Sequence, residues 1–331
     1  VSARPRLIVL GVALALLTGC APGAASVSRS VVRAAAASRL LFGLGPEADS
    51  ARKSPLVRQA PVRMLTSWFN GSSDLSWMGG WRPTIVLPAY RQRLALHVVV
   101  WDGGPERPLS TPHGPACGRA YAVSDRFLQD MRVLARTFAG RPGNRLYVTL
   151  FAELQTYPCR DNAWSPDSQT TAYYETLKDR YLSALGIFHA EAPNARVSLG
   201  WGGWQASYDN PSIGGGRSLF KHFADVMKLS GFQSFQSLQS PRAVREANAM
   251  TRALAPYGPV MLAFYKPSGS TSLTRHAQLS RFLARSNLAR LRRSGLFALS
   301  FMDSSFLHDT RSLKLVETAV RGFGCTRCSL P

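Results

Sequence analysis

Glu153 closes the apolar run Leu146-Tyr147-Val148-Thr149-Leu150-Phe151-Ala152. A carboxyl at the end of such a run must be solvated, paired or put to use, because an unpaired carboxylate is costly to strip of water. Beside aromatic groups its protonated form gains, which suits a general acid. The competing reading is an ion pair with an arginine such as Arg145. Two other carboxyls follow apolar runs: Asp102 after Leu94–Trp101, and Asp303 after Leu296–Phe301 and Met302. Each also has a plainer role, Asp102 as a turn former before Gly103-Gly104 and Asp303 as a cap on Ser304-Ser305. Flat aromatics and hydrogen-bonding groups collect at the same kind of position. Trp68, Trp101 and Trp201 end three runs, Trp204 lies just beyond the last of these, Gln236 follows a fourth, and Tyr265-Lys266 follow a fifth. Trp77, Trp81 and Trp164 stand in the intervening segments. A sugar ring needs both classes, an indole for its C–H face and polar partners for its hydroxyls, although a single tryptophan also serves as core filler. The expected ligand is therefore carbohydrate. Glu153, Asp102 and Asp303 are the candidate acid and base groups, and Trp68, Trp101, Trp201, Trp204, Tyr265, Lys266 and Gln236 the candidate contacts.

These positions are set by eight short runs: Leu40–Leu44, Val62–Trp68, Leu94–Trp101, Leu146–Phe151, Arg196–Trp201, Phe232–Phe235, Val260–Phe264 and Leu296–Phe301. Nearly continuous apolar runs of this length read as parallel strands buried on both faces. Helical patterns alternate with them. Ser124 starts a helix with Phe127, Met131, Leu134 and Phe138 on one side, and Thr171–Ala190 places Tyr174, Leu177, Tyr181, Leu185 and Phe188 similarly. Leu219–Leu229, Pro241–Leu254, Leu273–Arg293 and Arg311–Val320 add further helices, with a short one over 50–59. Ser72–Arg91 reads as long and irregular. Eight strand-then-helix units predict an α/β fold, a single-domain (β/α)8 barrel over residues 39–331, with function at the C-terminal strand ends. The rival, an open doubly wound sheet, wants a glycine-rich nucleotide loop after its first strand. Phe42-Gly43-Leu44-Gly45-Pro46 lacks the third glycine.

The eight-strand order, the Glu after strand four and the aromatic strand ends resemble the (β/α)8 glycoside hydrolases of the large retaining clan that includes mannanases and cellulases. In that clan an Asn-Glu pair ends strand four, its Glu being the acid/base, and a second Glu ends strand seven as nucleophile. The resemblance implies that Glu153 is the acid/base. Ala152 stands in place of the Asn, and strand seven ends Phe264-Tyr265-Lys266-Pro267 without a Glu. Asp102 or Asp303 would then act as base, with Lys266 or Tyr265 stabilising charge. The leading expectation is a surface-anchored glycoside hydrolase. The alternatives are a glycan-binding protein on a barrel that has lost catalysis, and a structural envelope lipoprotein with no ordered pocket around its tryptophans.

Export is read from the N-terminus. Arg4 and Arg6 precede the uncharged apolar run Leu7–Leu17, and Leu17-Thr18-Gly19-Cys20 follows. That is the layout of a secretory signal, too short for a span of about 20 apolar residues. Its ending resembles the lipobox of bacterial lipoproteins, which implies removal of residues 1–19, a lipid on Cys20, a flexible tether over 20–38 and anchoring on the outer face of the bacterial membrane. The four remaining cysteines suit an oxidising compartment. Cys117 is expected to pair with Cys159, and Cys325 with Cys328. Six histidines show no metal spacing, Gly214-Gly215-Gly216 lacks the Gly-Lys-Ser/Thr of a phosphate loop, and no Gly-x-Ser-x-Gly elbow occurs. No metal or cofactor is expected, and the chain is expected to be a monomer. The net charge of +21 is mostly arginine. It carries no nucleic-acid motif, so nucleic acid is not an expected partner; attraction to anionic lipid or an acidic wall polymer remains open.

Overall fold

A computed structural model describes residues 39–160, 167–209 and 218–325. The expected signal, Cys20, the tether, Trp164, the Gly214–Gly216 turn and Cys328 lie outside the described residues.

The strands are β1 (Leu41–Leu44), β2 (Val62–Phe69), β3 (Ala95–Val100), β4 (Glu106–Thr111), β5 (Gly114–Arg119), β6 (Leu146–Leu150), β7 (Ala195–Gly202), β8 (Gln233–Leu238), β9 (Val260–Lys266) and β10 (Leu296–Phe301). Eight of them close a parallel barrel in the order β1-β10-β9-β8-β7-β6-β3-β2, surrounded by helices. The fold is the expected (β/α)8 barrel, and all eight expected runs are its strands. β4 and β5 are a separate antiparallel hairpin between β3 and the next helix. Sequence reading misses it because Pro108, Pro115, Gly114 and Gly118 break any apolar alternation. Cys117 in the hairpin is bonded to Cys159 beyond β6, with Cα atoms 5.3 Å apart, as expected. Cys325 is also disulfide-bonded.

Strand alternation sends one set of side chains outward under the helices and the other into the barrel. The interior fills in layers. At the bottom Leu41, Met64, Ala95, Tyr147, Phe232, Met261 and Ala298 pack together. Above them lies a hydroxyl layer. Thr66 Oγ1 is 2.7 Å from Ser300 Oγ, His97 Nε2 is 2.9 Å from Thr149 Oγ1, and Thr149 Oγ1 is 2.9 Å from Ser234 Oγ. The upper layer holds Val99, Ala152, Ala263 and Phe264, with Trp68, Trp101 and Met302 against them.

Burial holds the His97 imidazole down to about 3, against an ordinary value of 6.5. The folded state therefore binds fewer protons than the unfolded chain, and this group's contribution to stability is lost as pH falls from 6.5 toward 3. At about 1.4 kcal/mol per pH unit, wild type should lose about 2 kcal/mol from this group between pH 6.5 and 5. Denaturant unfolding of His97→Gln at both pH values should show that dependence removed; an unchanged slope would contradict a neutral buried imidazole.

The helix over Asp125–Phe138 starts where Ser124 Oγ accepts from Phe127 N, and buries Phe127, Met131, Leu134 and Phe138 as expected. The helix over Ser168–Glu191 is capped by Asp167. Two expected helices are each broken in two. Leu219–Leu229 divides at Phe223, and Leu273–Arg293 divides at Ala284, where the backbone becomes extended. Ser72–Arg91 is mostly short helical turns that bury Met78, Trp81, Ile85, Val86 and Tyr90.

Candidate active site

β6 ends in an unusual backbone turn. Phe151 and Glu153 have φ of 57° and 59°, in the left-handed region that side chains other than glycine rarely adopt. The turn is held by Ala152 N donating to Val100 O at 2.9 Å, and by Thr156 N and Oγ1 donating to Glu153 O at 2.8 and 2.9 Å. Gly200 on the neighbouring β7 makes room for it, since a Cβ there would lie 2.7 Å from Ala152 Cα. Strained non-glycine residues persist where the surroundings over-determine them, and they cluster at functional sites.

The turn aims Glu153 into a cavity of about 410 Å³ at the C-terminal mouth of the barrel. Trp68, Trp77 and Trp101 wall it, Pro46, Leu238 and Met302 add apolar surface, and Glu47, Asn70, Gln236 and Glu153 are its polar groups. Trp68 stacks on Phe264 (ring centroids 4.7 Å apart, planes within 3°) and meets Trp101 edge-on at 6.2 Å. Burial pushes the Glu153 carboxyl above the usual range, opposed by a hydrogen bond from Gln236 and by the positive charge of Arg119. Gln236 is 3% exposed, and its Oε1 has no hydrogen-bond partner, nor has Trp68 Nε1. A hydroxyl-bearing ligand would supply a donor to the first and an acceptor to the second.

The other expected residues divide. Asp102 is 4% exposed and does not line the cavity. Its Oδ1 accepts from Gly104 N at 2.8 Å and its Oδ2 from Ala122 N at 3.0 Å, so it clips together the two ends of the hairpin excursion. Both oxygens accept from backbone donors, which fits the turn-forming role. Asp303 and Lys266 pair with each other at 3.0 Å, outside the cavity lining. Burial works against the Asp303 carboxylate, but hydrogen bonds from Ser305 and Lys266 outweigh it and hold this carboxyl below its usual range. Trp201 is fully buried, edge-on to Phe220 and Phe223, and is a packing residue rather than a ligand contact. Tyr265 is likewise buried outside the barrel, stacked on Phe282 at 3.9 Å. Trp204 is half-buried against Gly202 and does not reach the cavity.

Two site residues escape sequence reading. Glu47 lies three residues beyond β1 and contributes the second carboxyl of the cavity wall. The end of the first strand carries it, as the ends of the later strands carry the others. Arg119, on the hairpin, lies over Tyr157 (4.7 Å) and Trp101 (5.5 Å) and donates to Asp102 O. The Cys117–Cys159 bond and the Arg119 N to Tyr157 O hydrogen bond (3.0 Å) fix its strand. Because its charge favours the Glu153 carboxylate, Arg119→Gln should move the titration of the Glu153 carboxyl, followed by carboxyl 13C NMR, to higher pH, while Arg119→Lys leaves it nearly in place. Equal behaviour of the two variants in that titration would show that packing, not charge, is what Arg119 supplies.

Solved structures that share this fold include glycoside hydrolases. A β-glucuronidase of Bacteroides uniformis superposes with a TM-score of 0.53 at 9% identity, over 80% of this chain and 30% of its own. The β-1,4-mannanase of the sea hare Aplysia kurodai gives 0.50 at 11% identity, over 88% of this chain and 96% of its own. A psychrophilic family 10 endo-β-1,4-xylanase gives 0.50 at 8%, over 88% and 99%. What they share with this chain is the (β/α)8 barrel. No protein-family model and no curated protein matches the sequence. The barrel here spans about 30% of the glucuronidase chain and nearly the whole of the mannanase and xylanase. At such identities the likeness concerns the fold, and the chemistry must be argued from the cavity.

Proposed function

We propose that the chain is an exported, lipid-anchored glycoside hydrolase in which Glu153 is the general acid. The observation that carries this is a desolvated carboxyl held by a strained turn inside a cavity walled by three tryptophans. Protonated Glu153 gives its proton to the bridging oxygen as the bond from that oxygen to the anomeric carbon breaks. A water oxygen bonds to the anomeric carbon, and the proton it loses passes to the Glu47 carboxylate. β9 offers no nucleophile, because its end carries no carboxyl, Tyr265 is buried against Phe282 and Lys266 is paired with Asp303. A water-mediated displacement using Glu47 therefore replaces the two-Glu arrangement of the resembling clan, and it inverts the anomeric centre. The lipid on Cys20 and the cleaved signal place the barrel on the outer face of the membrane.

A second reading, a glycan-binding barrel without turnover, is favoured by the missing carboxyl at the end of β9. Screening wild type against polysaccharides, with cleavage and binding scored separately, distinguishes them. Cleavage to inverted product supports the first, binding without cleavage the second, and neither binding nor cleavage removes both. Full processing of the Cys20→Ser chain, with its retention in the membrane fraction after a high-salt wash that releases electrostatic attachment, would contradict the lipid anchor.

A further inference from the structure

The chain's positive charge is not spread evenly. Residues 240–302 hold ten of its 40 Lys and Arg but one of its 19 Asp and Glu, Glu246. A general arginine bias would enrich the basic residues everywhere; it would not remove the acids from one segment. Three helices come from this segment, Ala243–Leu254, Ser272–Leu283 and Arg285–Arg293, and they pack against one another on the outside of the barrel. Glu246 is buried, so no carboxylate of this segment stands on the surface beside its arginines. Arg245 and Arg252, two turns apart on the first helix, are exposed, as are Arg281 on the second and Arg285, Arg290 and Arg293 on the third. Among the described residues none of these six is ion-paired with a carboxylate.

We propose that this three-helix arginine face docks on an anionic lipid bilayer. Arginines left without carboxylate partners are free to pair with lipid phosphates, and clusters of basic residues gain from the negative surface potential of such membranes. Leu273, at the start of the middle helix, is 72% exposed, the highest of the large apolar side chains among the described residues, and can enter the headgroup region. Single-stranded nucleic acid fits less well, because these helices present no exposed aromatic ring for bases to stack on. If Cys20 carries a lipid, only residues 21–38 separate the anchor from the barrel, which keeps the face near the bilayer. Docked by its flank, the barrel leaves its mouth open to the side, toward glycans lying along the surface.

The test is cosedimentation of the full chain with vesicles of phosphatidylglycerol in phosphatidylcholine and of phosphatidylcholine alone. It compares wild type, Arg285→Gln/Arg290→Gln/Arg293→Gln, and a control, Arg58→Gln/Arg91→Gln/Arg141→Gln, which loses the same charge from exposed sites elsewhere. At about fivefold per arginine, the first variant should bind the anionic vesicles on the order of 10²-fold more weakly. The control should change little, and the three proteins should bind neutral vesicles alike. Equal losses in the two variants, no loss in either, or tighter binding to duplex DNA than to the anionic vesicles would overturn the proposal. Because the vesicles carry no glycan, the outcome is independent of the proposed hydrolase activity.

Discussion

Glu153→Gln should lower kcat on glycosides with poor leaving groups by roughly 10²–10⁴-fold, the usual span for general acid catalysis. The amide keeps the shape of the side chain and loses the proton, so binding should survive. The pH profile provides a second readout. An acid works only while protonated, so activity should fall as pH rises through the Glu153 pKa. Burial raises that pKa, which extends activity above the range of an ordinary carboxyl. In Glu153→Gln the alkaline limb assigned to this group should disappear. Full turnover in the variant, or an unaltered alkaline limb, would remove Glu153 from the mechanism. Glu47→Gln should also depress turnover, but it should spare that limb.

The second large effect separates two tryptophans that look alike in sequence. Trp201→Ala should cost about 3–5 kcal/mol of stability, as expected for emptying a fully buried aromatic site. Its influence on glycan affinity should be no more than that loss of stability explains. Trp68→Ala should do the opposite, weakening glycan binding with a smaller effect on the denaturation midpoint, since Trp68 is half-buried at the cavity wall. Denaturant unfolding and glycan titration of both variants give the four values needed. Loss of affinity in well-folded Trp201→Ala would return that residue to the site.

The reason for this difference is a lesson in parity. The barrel's eight strands are legible because parallel strands buried on both faces are apolar throughout, and their spacing leaves room for a helix between each pair. What such runs conceal is which residues face inward. In β7 the small residues Ser198, Gly200 and Gly202 alternate with Val197, Leu199 and Trp201. That alternation, read strictly, puts Trp201 on the helix-covered face with the other large residues. Tyr265 could not be placed in this way. The register between β9 and its neighbours shifts between Leu262 and Phe264, leaving Ala263 as an extra residue. Such a bulge exchanges the two faces for everything after it, so Phe264 turns in under Trp68 and Tyr265 turns out onto Phe282.

The site itself was half legible. Glu153, Trp68, Trp101 and Gln236 are where a carboxyl, indoles and an amide at strand ends should be. Asp102 reads two ways because a carboxyl that ties a hairpin's base and one that does chemistry occupy the same kind of position. Only Gly104 N and Ala122 N, the second far along the chain, distinguish them. Arg119 was hidden in a hairpin with no apolar pattern, fixed in space by a disulfide whose partners lie 42 residues apart. The long-range contacts that hold these residues in place leave no local trace.

The central claim is that a glycan occupies the cavity between Trp68, Trp77, Trp101 and Glu153. It is tested most directly by following the indole N–H resonances of the seven tryptophans while a bound oligosaccharide, chosen from the polysaccharide screen, is titrated in. Signals of Trp68, Trp77 and Trp101, assigned through single Trp→Phe variants, should shift together with one saturation curve, and that of Trp201 should stay in place. A saturating glycan that leaves the first three unmoved, or that shifts Trp201 instead, would contradict the claim.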